Sequence, residues 1–324
     1  MIPTIERPGI RPGFPKPGAY RKSYEPGIAE VEKEIALLTR YADAGAGFEA
    51  DYGHGLGTYS YSVASANGDL IRAANAFRWH AIQGAMDGAQ DWESQWRQSV
   101  AFDYWHSRQK LVNVERHLAK SLGQDLSVAS AGFQLTGWKT VVELGAVVGN
   151  CLALGWIDWA LALAGRVNAL VNDTRILKTP ESLRPLTHFL VFRLIDSWQG
   201  WPESVSQDCL GSDPIFDALL AHWRTADAAE LAPVLLAACD RRTHQSRVNS
   251  RKDSYELPGM GQWYDPFEIH AAMRLRELEG LANPALDHVV MKGPLGALPA
   301  PTAAWRSDLL DGVVAQLRKF YPEL

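Results

Sequence analysis

The chain has 324 residues, of which 47% are hydrophobic and 12 are tryptophan, and its net charge is −5 at pH 7. A chain of this length folds as one large domain or two smaller ones, with enough apolar material for a core. The negative charge argues against a nucleic-acid-binding protein, because contacts to the phosphate backbone need a basic surface.

The cysteines and the N-terminus indicate where the protein works. Cys151, Cys209 and Cys239 are widely spaced and follow no metal-binding pattern. Cys151 and Cys239 lie in apolar helical segments, which is typical of small core residues in a reducing compartment. The N-terminus lacks the basic start and apolar segment of a secretory signal. We therefore expect a cytoplasmic protein.

Residues 1–27 form a proline-rich arm. They contain six prolines, together with several glycines and basic residues. Proline has no N–H donor and a fixed φ, so this segment cannot form a helix or a central strand. We expect an extended arm, in part polyproline II. It is either a loose tail, which we favour, or a strap along the body of the protein or across a partner.

Residues 28–123 predict an N-terminal helical bundle. Apolar side chains recur at helical spacing in segments 28–44, 67–87 and 91–122. The glycine-rich segment 45–57 contains His54-Gly-Leu-Gly, which superficially resembles a phosphate-binding loop. No strand precedes it and no Gly-Lys-Ser/Thr is present, so we interpret this segment as a connector.

A nearly continuous apolar stretch at 138–173 is expected at the centre of the core. Its apolar side chains leave almost no polar face, as in a helix buried on several sides. The stretch is long enough to span a membrane, but Glu143, Asn150 and Asp158 are costly in hydrocarbon. We predict two antiparallel core helices joined at Gly155-Trp156, and no membrane span.

The rest of the chain continues the helical pattern. Further helices are predicted at 180–199, 213–224, 226–242, 265–280 and 307–320, with a polar, irregular segment at 243–262. No segment shows the period-two alternation of a strand at useful length. We predict an all-α fold of about ten helices with essentially no sheet, arranged as packed hairpins in a compact bundle or a short solenoid-like stack. Residues 138–324 form a C-terminal bundle, either separate from the N-terminal bundle or continuous with it.

One helix face carries residues that could do chemistry. Asp103 and His106 lie three residues apart, with Glu115 further along the same helix. A metal site would need further ligands from a facing helix, and the Glu-x-x-His pairs of such sites are missing. No Gly-x-Ser-x-Gly nucleophile motif is present either. We expect a protein that is not an enzyme and has no cofactor or metal; the alternative is a helical enzyme that acts on a small molecule through this face.

An acidic stretch in the C-terminal half suggests a binding surface. Residues 196–230 contain seven acidic side chains against the single basic Arg224. Either these acids favour helix N-termini and solvated loops, or they form a tryptophan-bearing surface for a cationic protein. The candidate partner-binding residues are Trp201, Glu203, Asp208, Asp213, Asp217, Trp223, Asp227 and Glu230.

The segment from 263 to 281 resembles a known family. It reads Trp-Tyr-Asp-Pro-Phe-Glu-Ile-His-Ala-Ala and ends in Glu279-Gly280-Leu281. This is similar to the C-terminal part of the all-helical immunity proteins of bacterial polymorphic-toxin systems that neutralise nuclease toxins. In those proteins an aromatic-led Phe-Glu-x-x-Ala helix precedes a short Gly-Leu/Ile and aspartate turn, and Phe320-Tyr321-Pro322 is similar to their ending. By architecture the resemblance covers about residues 138–281. It implies a cytoplasmic, non-enzymatic inhibitor that binds a cognate toxin with a basic surface.

Overall fold

The structure is a computed structural model that describes residues 5–14, 31–51, 57–120, 143–172, 186–203 and 213–324. The helices of the described residues are α1 (Val31–Ala44), α2 (Val63–Asp87), α3 (Trp92–Lys120), α4 (143–153), α5 (Ile157–Val171), α6 (Leu186–Gln199), α7 (Pro214–His222), α8 (Ala228–Gln245), α9 (Met260–Trp263), α10 (Phe267–Leu278) and α11 (Asp308–Phe320). Strands β1 (Glu49–Asp51) and β2 (Thr58–Ser60) form an antiparallel pair. The expected all-α class is confirmed.

The glycine-rich segment after α1, which we expected to be a connector, contains strand β1, so the expectation that no strand precedes His54 was wrong. Next to this strand, Phe48 stacks on Tyr61 with ring centroids 4.5 Å apart, and the Arg40 guanidinium lies 4.1 Å from the centre of the Phe48 ring. Strands of three residues are too short to show an alternating pattern, which explains why the sequence did not reveal them. His54 lies outside the described residues.

The chain divides into two compact units. One comprises Met1–Tyr20 and Glu115–Ala303, and the other comprises Arg21–Val114 and Ala304–Leu324. Helix α11 therefore belongs with α1 and α2 and not with the C-terminal bundle that the sequence predicts. The buried stripe of α11 is Leu310, Val313, Val314 and Leu317. This stripe needs an apolar partner, and it finds one in α1, where Gln316 Nε2 also donates to the carbonyl oxygen of Ala42 at 2.9 Å.

The expected central hairpin is present as α4 and α5 within residues 143–172, while its predicted residues 138–142 and 173 lie outside the described residues. All residues from 144 to 154 are buried, and Gly155 turns the chain with φ of 77°. A Cβ atom at Gly145 would lie 2.6 Å from the carbonyl oxygen of His188, and one at Gly149 would lie 2.8 Å from that of Phe267. These glycines allow α4 to approach α6 and α10 closely. Within the described residues, no helix has both the length and the hydropathy that crossing a membrane requires.

The described part of the arm lies along α8 and is not the loose tail that we favoured. Arg7 Nε donates to Asp240 Oδ2 at 2.7 Å, and the Arg11 backbone N–H donates to Thr243 Oγ1 at 2.8 Å. The tail interpretation was wrong for residues 5–14 because proline excludes helix and sheet but does not prevent polar side chains from binding a distant helix.

Candidate functional site

The described acidic residues of the predicted surface follow α6, lie at the start of α7 and lie at the start of α8. Asp213 is the N-cap of α7, and its Oδ1 accepts from the backbone N–H groups of Ile215 and Phe216 at 3.1 and 3.2 Å. A carboxylate at this position satisfies free N–H groups and complements the helix dipole. Its second oxygen pairs with Arg241 of α8. Asp213 is therefore committed to holding α7 and α8 together.

Arg241 is the centre of a buried ion-pair cluster. Its guanidinium contacts the carboxylates of Asp213 and Glu256 and donates to Thr187 Oγ1 at 3.1 Å. Glu256 in turn accepts from the backbone N–H of Thr187 at 2.7 Å. Burial acts to lower the pKa of Arg241, but the two carboxylates outweigh it and raise that pKa. This cluster joins α6, α7 and the segment after α8.

A second arginine forms ion pairs with two of the more exposed acidic side chains. Arg193 of α6 pairs through Nε with Glu203 Oε1 at 2.6 Å and through Nη1 with Asp217 Oδ1 at 3.5 Å. The side chains of Glu203 and Asp217 remain 43% and 36% exposed. Because both carboxylates remain partly exposed, a cationic partner can reach this part of the surface.

The two candidate tryptophans have different environments. Trp223 is 1% exposed, its indole N–H donates to Ser197 Oγ at 3.3 Å, and Arg224 lies over its ring. Its prediction as an interface anchor is corrected, because a ring that fills the core cannot enter a partner. Trp201 is half-buried and lies against Gly165 of α5. It is the candidate tryptophan that a partner can contact.

The remaining candidates lie near the start of α8 or outside the described residues. Asp227 is exposed and caps α8, accepting from the Ala229 N–H at 2.8 Å, and Glu230 is exposed in the first turn. Asp208 falls outside the described residues. Arg193 thus links Glu203 to Asp217, whereas the Asp213 side chain is used for contacts within the protein.

The residues of the alternative enzyme face each have a partner in the protein. Asp103 pairs with Arg78 at 3.0 Å, and Glu115 pairs with Arg166 at 2.9 Å. His106 Nδ1 lies 2.9 Å from the carbonyl oxygen of Asn67. Burial lowers the pKa of His106 and so favours the neutral imidazole. These contacts link neighbouring helices and account for the polar face that the sequence shows.

A buried polar network between α8 and α10 was not anticipated. Arg242 and Glu268 form an ion pair with both side chains 1% exposed, and Arg242 also donates to the carbonyl oxygens of Gln262 and Asp265. The Asp265 carboxylate accepts from Asn150 Nδ2 of α4 at 2.7 Å. Burial raises the pKa of Glu268. The network clamps α4, α8 and α10 together in the core.

Two histidines next to this network are held neutral. Burial lowers the pKa of His188 to about 3 and that of His270 to about 4. His188 packs on the Phe267 ring, and His270 Nε2 donates to the carbonyl oxygen of Gly296 at 2.9 Å. Both are core residues, and their low pKa values follow from the cost of placing an imidazolium away from water.

One sequence signal could have revealed the network. Leu231, Leu235 and Ala238 form the apolar stripe of α8, and Arg242 falls on the same stripe one turn later. A charge on the buried face of a helix requires a buried partner. Glu268 occupies a comparable position on α10, where its neighbours on both sides are buried.

The described residues contain no group of three or more His, Cys, Asp or Glu side chains arranged to hold a metal ion. Comparison of the chain with protein-family models, curated proteins and solved structures finds no match.

Proposed function

We propose that this chain is an immunity-type protein that binds a cognate toxin in the cytoplasm and blocks its action without catalysing a reaction. The proposal rests on the resemblance of residues 263–281 to immunity proteins and on the surface that contains Glu203 and Asp217. The toxin is proposed to be a nuclease, because a nuclease holds the phosphate backbone in a basic cleft. An inhibitor that presents carboxylates can cover that cleft.

The observation that carries the proposal is the arrangement around Arg193. Glu203 and Asp217 come from different parts of the chain, converge on one guanidinium and remain partly exposed. The Arg193 side chain is only 11% exposed, so it holds the two carboxylates from the protein side while they remain accessible to solvent. Preorganised charges of this kind lose little side-chain freedom on binding, which favours association.

We propose that two further features belong to the same binding surface. Trp201 lies two residues before Glu203 and is half-buried, which suits an aromatic anchor with a supported ring. Asp227 and Glu230 add exposed carboxylates at the start of α8. We define the acidic face as Trp201, Glu203, Asp217, Asp227 and Glu230.

The test uses the protein encoded by the neighbouring gene as the candidate toxin. The candidate toxin is expressed in bacteria with and without this chain, and the purified toxin is titrated with this chain while nucleic-acid cleavage is followed. We expect growth to be restored and cleavage to stop at an equimolar amount. Growth arrest that persists at high levels of folded protein, or cleavage that continues at excess, would contradict the proposal. Trp201→Ala should weaken protection without unfolding the chain.

A further inference from the structure

The arm contains a short repeat that matches one helix of the body. Residues 7–9 and 11–13 both read Arg-Pro-Gly, and Gly9 and Gly13 both have φ of 72°. The two arginines are four residues apart. Their partners, Asp240 and Thr243, are about one turn apart on α8. The two Arg-Pro-Gly units of the arm therefore contact successive turns of α8.

The first arginine binds a buried carboxylate. Asp240 is 0% exposed, and Arg7 donates to both of its oxygens, from Nε at 2.7 Å and from Nη2 at 3.1 Å. His288 Nε2 also donates to Asp240 Oδ1 at 3.0 Å, while His288 Nδ1 accepts from the Val290 N–H at 3.1 Å. That second contact keeps His288 neutral. The positive charge beside Asp240 therefore comes from Arg7, in the paired geometry that a guanidinium provides and an ammonium does not.

The second arginine binds the C-terminal end of α8. Arg11 Nε donates to the carbonyl oxygen of Thr243 at 2.8 Å, and its Nη2 donates to that of Ser246 at 3.3 Å. Carbonyl groups at a helix C-terminus are free to accept, and the helix dipole favours a cation there. Helix α8 thus has two arginine-binding subsites, the Asp240 carboxylate and the carbonyl oxygens of Thr243 and Ser246. The arm fills them with two arginines that are four residues apart.

The arm that fills these subsites has little apolar attachment. None of residues 5–14 is buried, Ile10 is 49% exposed, and the Arg7 side chain is 42% exposed. Its attachment to α8 depends on guanidinium and backbone contacts. Departure of Arg7 removes the paired guanidinium from Asp240, and the carboxylate then accepts from water or from another guanidinium. Another arginine-bearing segment can therefore take the place of the arm at the same carboxylate.

We propose that Asp240, Thr243 and Ser246 form a peptide-docking site, filled in the free protein by the arm, at which a partner segment with two arginines four residues apart replaces it. The arm acts as an internal mimic of that segment. This inference goes beyond the toxin proposal and uses a different surface, so either can fail without the other.

The test measures binding of a fluorescent peptide with the sequence of residues 5–14 to the full chain. The wild-type arm competes from within the same molecule, at an effective concentration of about 1 mM. We expect weak binding to wild type and at least about tenfold tighter binding to Arg7→Ala/Arg11→Ala, which removes the guanidinium contacts at both subsites. Adding Asp240→Asn to that variant should abolish binding.

A second variant keeps both arginines and every contact of the body. Gly9→Ala/Gly13→Ala makes the docked arm unfavourable, because alanine is strained at positive φ, and it should also bind the peptide more tightly. Two control peptides, one with lysine for both arginines and one with a glycine inserted between the repeats, should bind at least about tenfold more weakly. Equal binding to wild type and both variants, no binding to either variant, or equal binding of the control peptides would overturn the proposal.

Discussion

Arg242 and Glu268 pair across α8 and α10 with both side chains 1% exposed. A buried pair of this kind contributes little net stability compared with apolar residues, but breaking it leaves one charge without a partner. The pair therefore makes the alignment of α8 and α10 specific, because a shift of either helix would separate the charges.

Removal of one member of this pair should be strongly destabilising. Arg242→Met leaves Glu268 buried and unpaired, with an expected loss of about 3–5 kcal/mol in the free energy of unfolding. The measurement is urea unfolding at pH 7. The double variant Arg242→Met/Glu268→Leu should lose less than the single variant. A loss below about 1 kcal/mol for Arg242→Met would show that the pair does not hold the core.

The close approach of α4 and α6 predicts a position-dependent effect of alanine. Gly145→Ala places a Cβ atom 2.7 Å from the His188 Cα atom, so backbone must move, at an expected cost of about 1–3 kcal/mol. Gly165→Ala is the matched control, because its Cβ atom lies 3.5 Å from the Trp201 ring in ordinary contact. Alanine is also favoured over glycine within a helix. Equal unfolding midpoints for the two variants would contradict the packing described.

The two buried histidines predict loss of stability in acid. Their folded-state pKa values of about 3 and 4 lie below the unfolded value, so the unfolded chain binds more protons between about pH 4 and 6.5. Stability then falls as the pH is lowered through this window, by about 1.4 kcal/mol per histidine per pH unit. Glu268 acts in the opposite sense, because burial raises its pKa. His270→Gln should reduce the slope of stability against pH by one histidine, as measured by urea unfolding from pH 7 to 5; an unchanged slope would contradict the assignment.

Substitution of the two candidate tryptophans should affect different properties, namely stability for Trp223 and toxin binding for Trp201. Trp223→Ala removes a core ring and should lower the free energy of unfolding by about 3–5 kcal/mol. Trp201→Ala removes a half-buried ring and should leave the chain folded while it weakens toxin binding. Thermal unfolding and equilibrium binding of both variants provide the comparison. A stable Trp223→Ala protein with weakened binding would reverse these assignments.

The sequence predicted the helices well and the roles of polar residues less well. Helical spacing identifies a buried stripe, so α4, α5 and α8 could be expected from their apolar residues alone. The same spacing does not show that Asp213 pairs with Arg241 or that Trp223 faces inward, because both depend on which helices become neighbours. For this reason, a count of acidic residues along the chain overestimates how many of them belong to the acidic face. The docking of Arg7 on Asp240 depends on a still longer separation in sequence.

Neutralising the acidic face provides the sharpest test of toxin binding. Glu203→Gln, Asp217→Asn, Asp227→Asn and Glu230→Gln together remove four negative charges, and the amides retain the contact to Arg193 and the cap of α8. The control combines Glu32→Gln, Asp43→Asn, Glu49→Gln and Glu93→Gln, which are exposed acids of the other unit, and it has the same net charge.

The decisive measurement is the rate of association of these two variants with the cognate toxin at low and at high salt. If the acidic face steers binding, the first variant associates about tenfold more slowly at low salt, the difference shrinks at high salt, and the control associates like wild type. Equal association rates for wild type and the first variant at low salt, or equal slowing of both variants, would contradict the account.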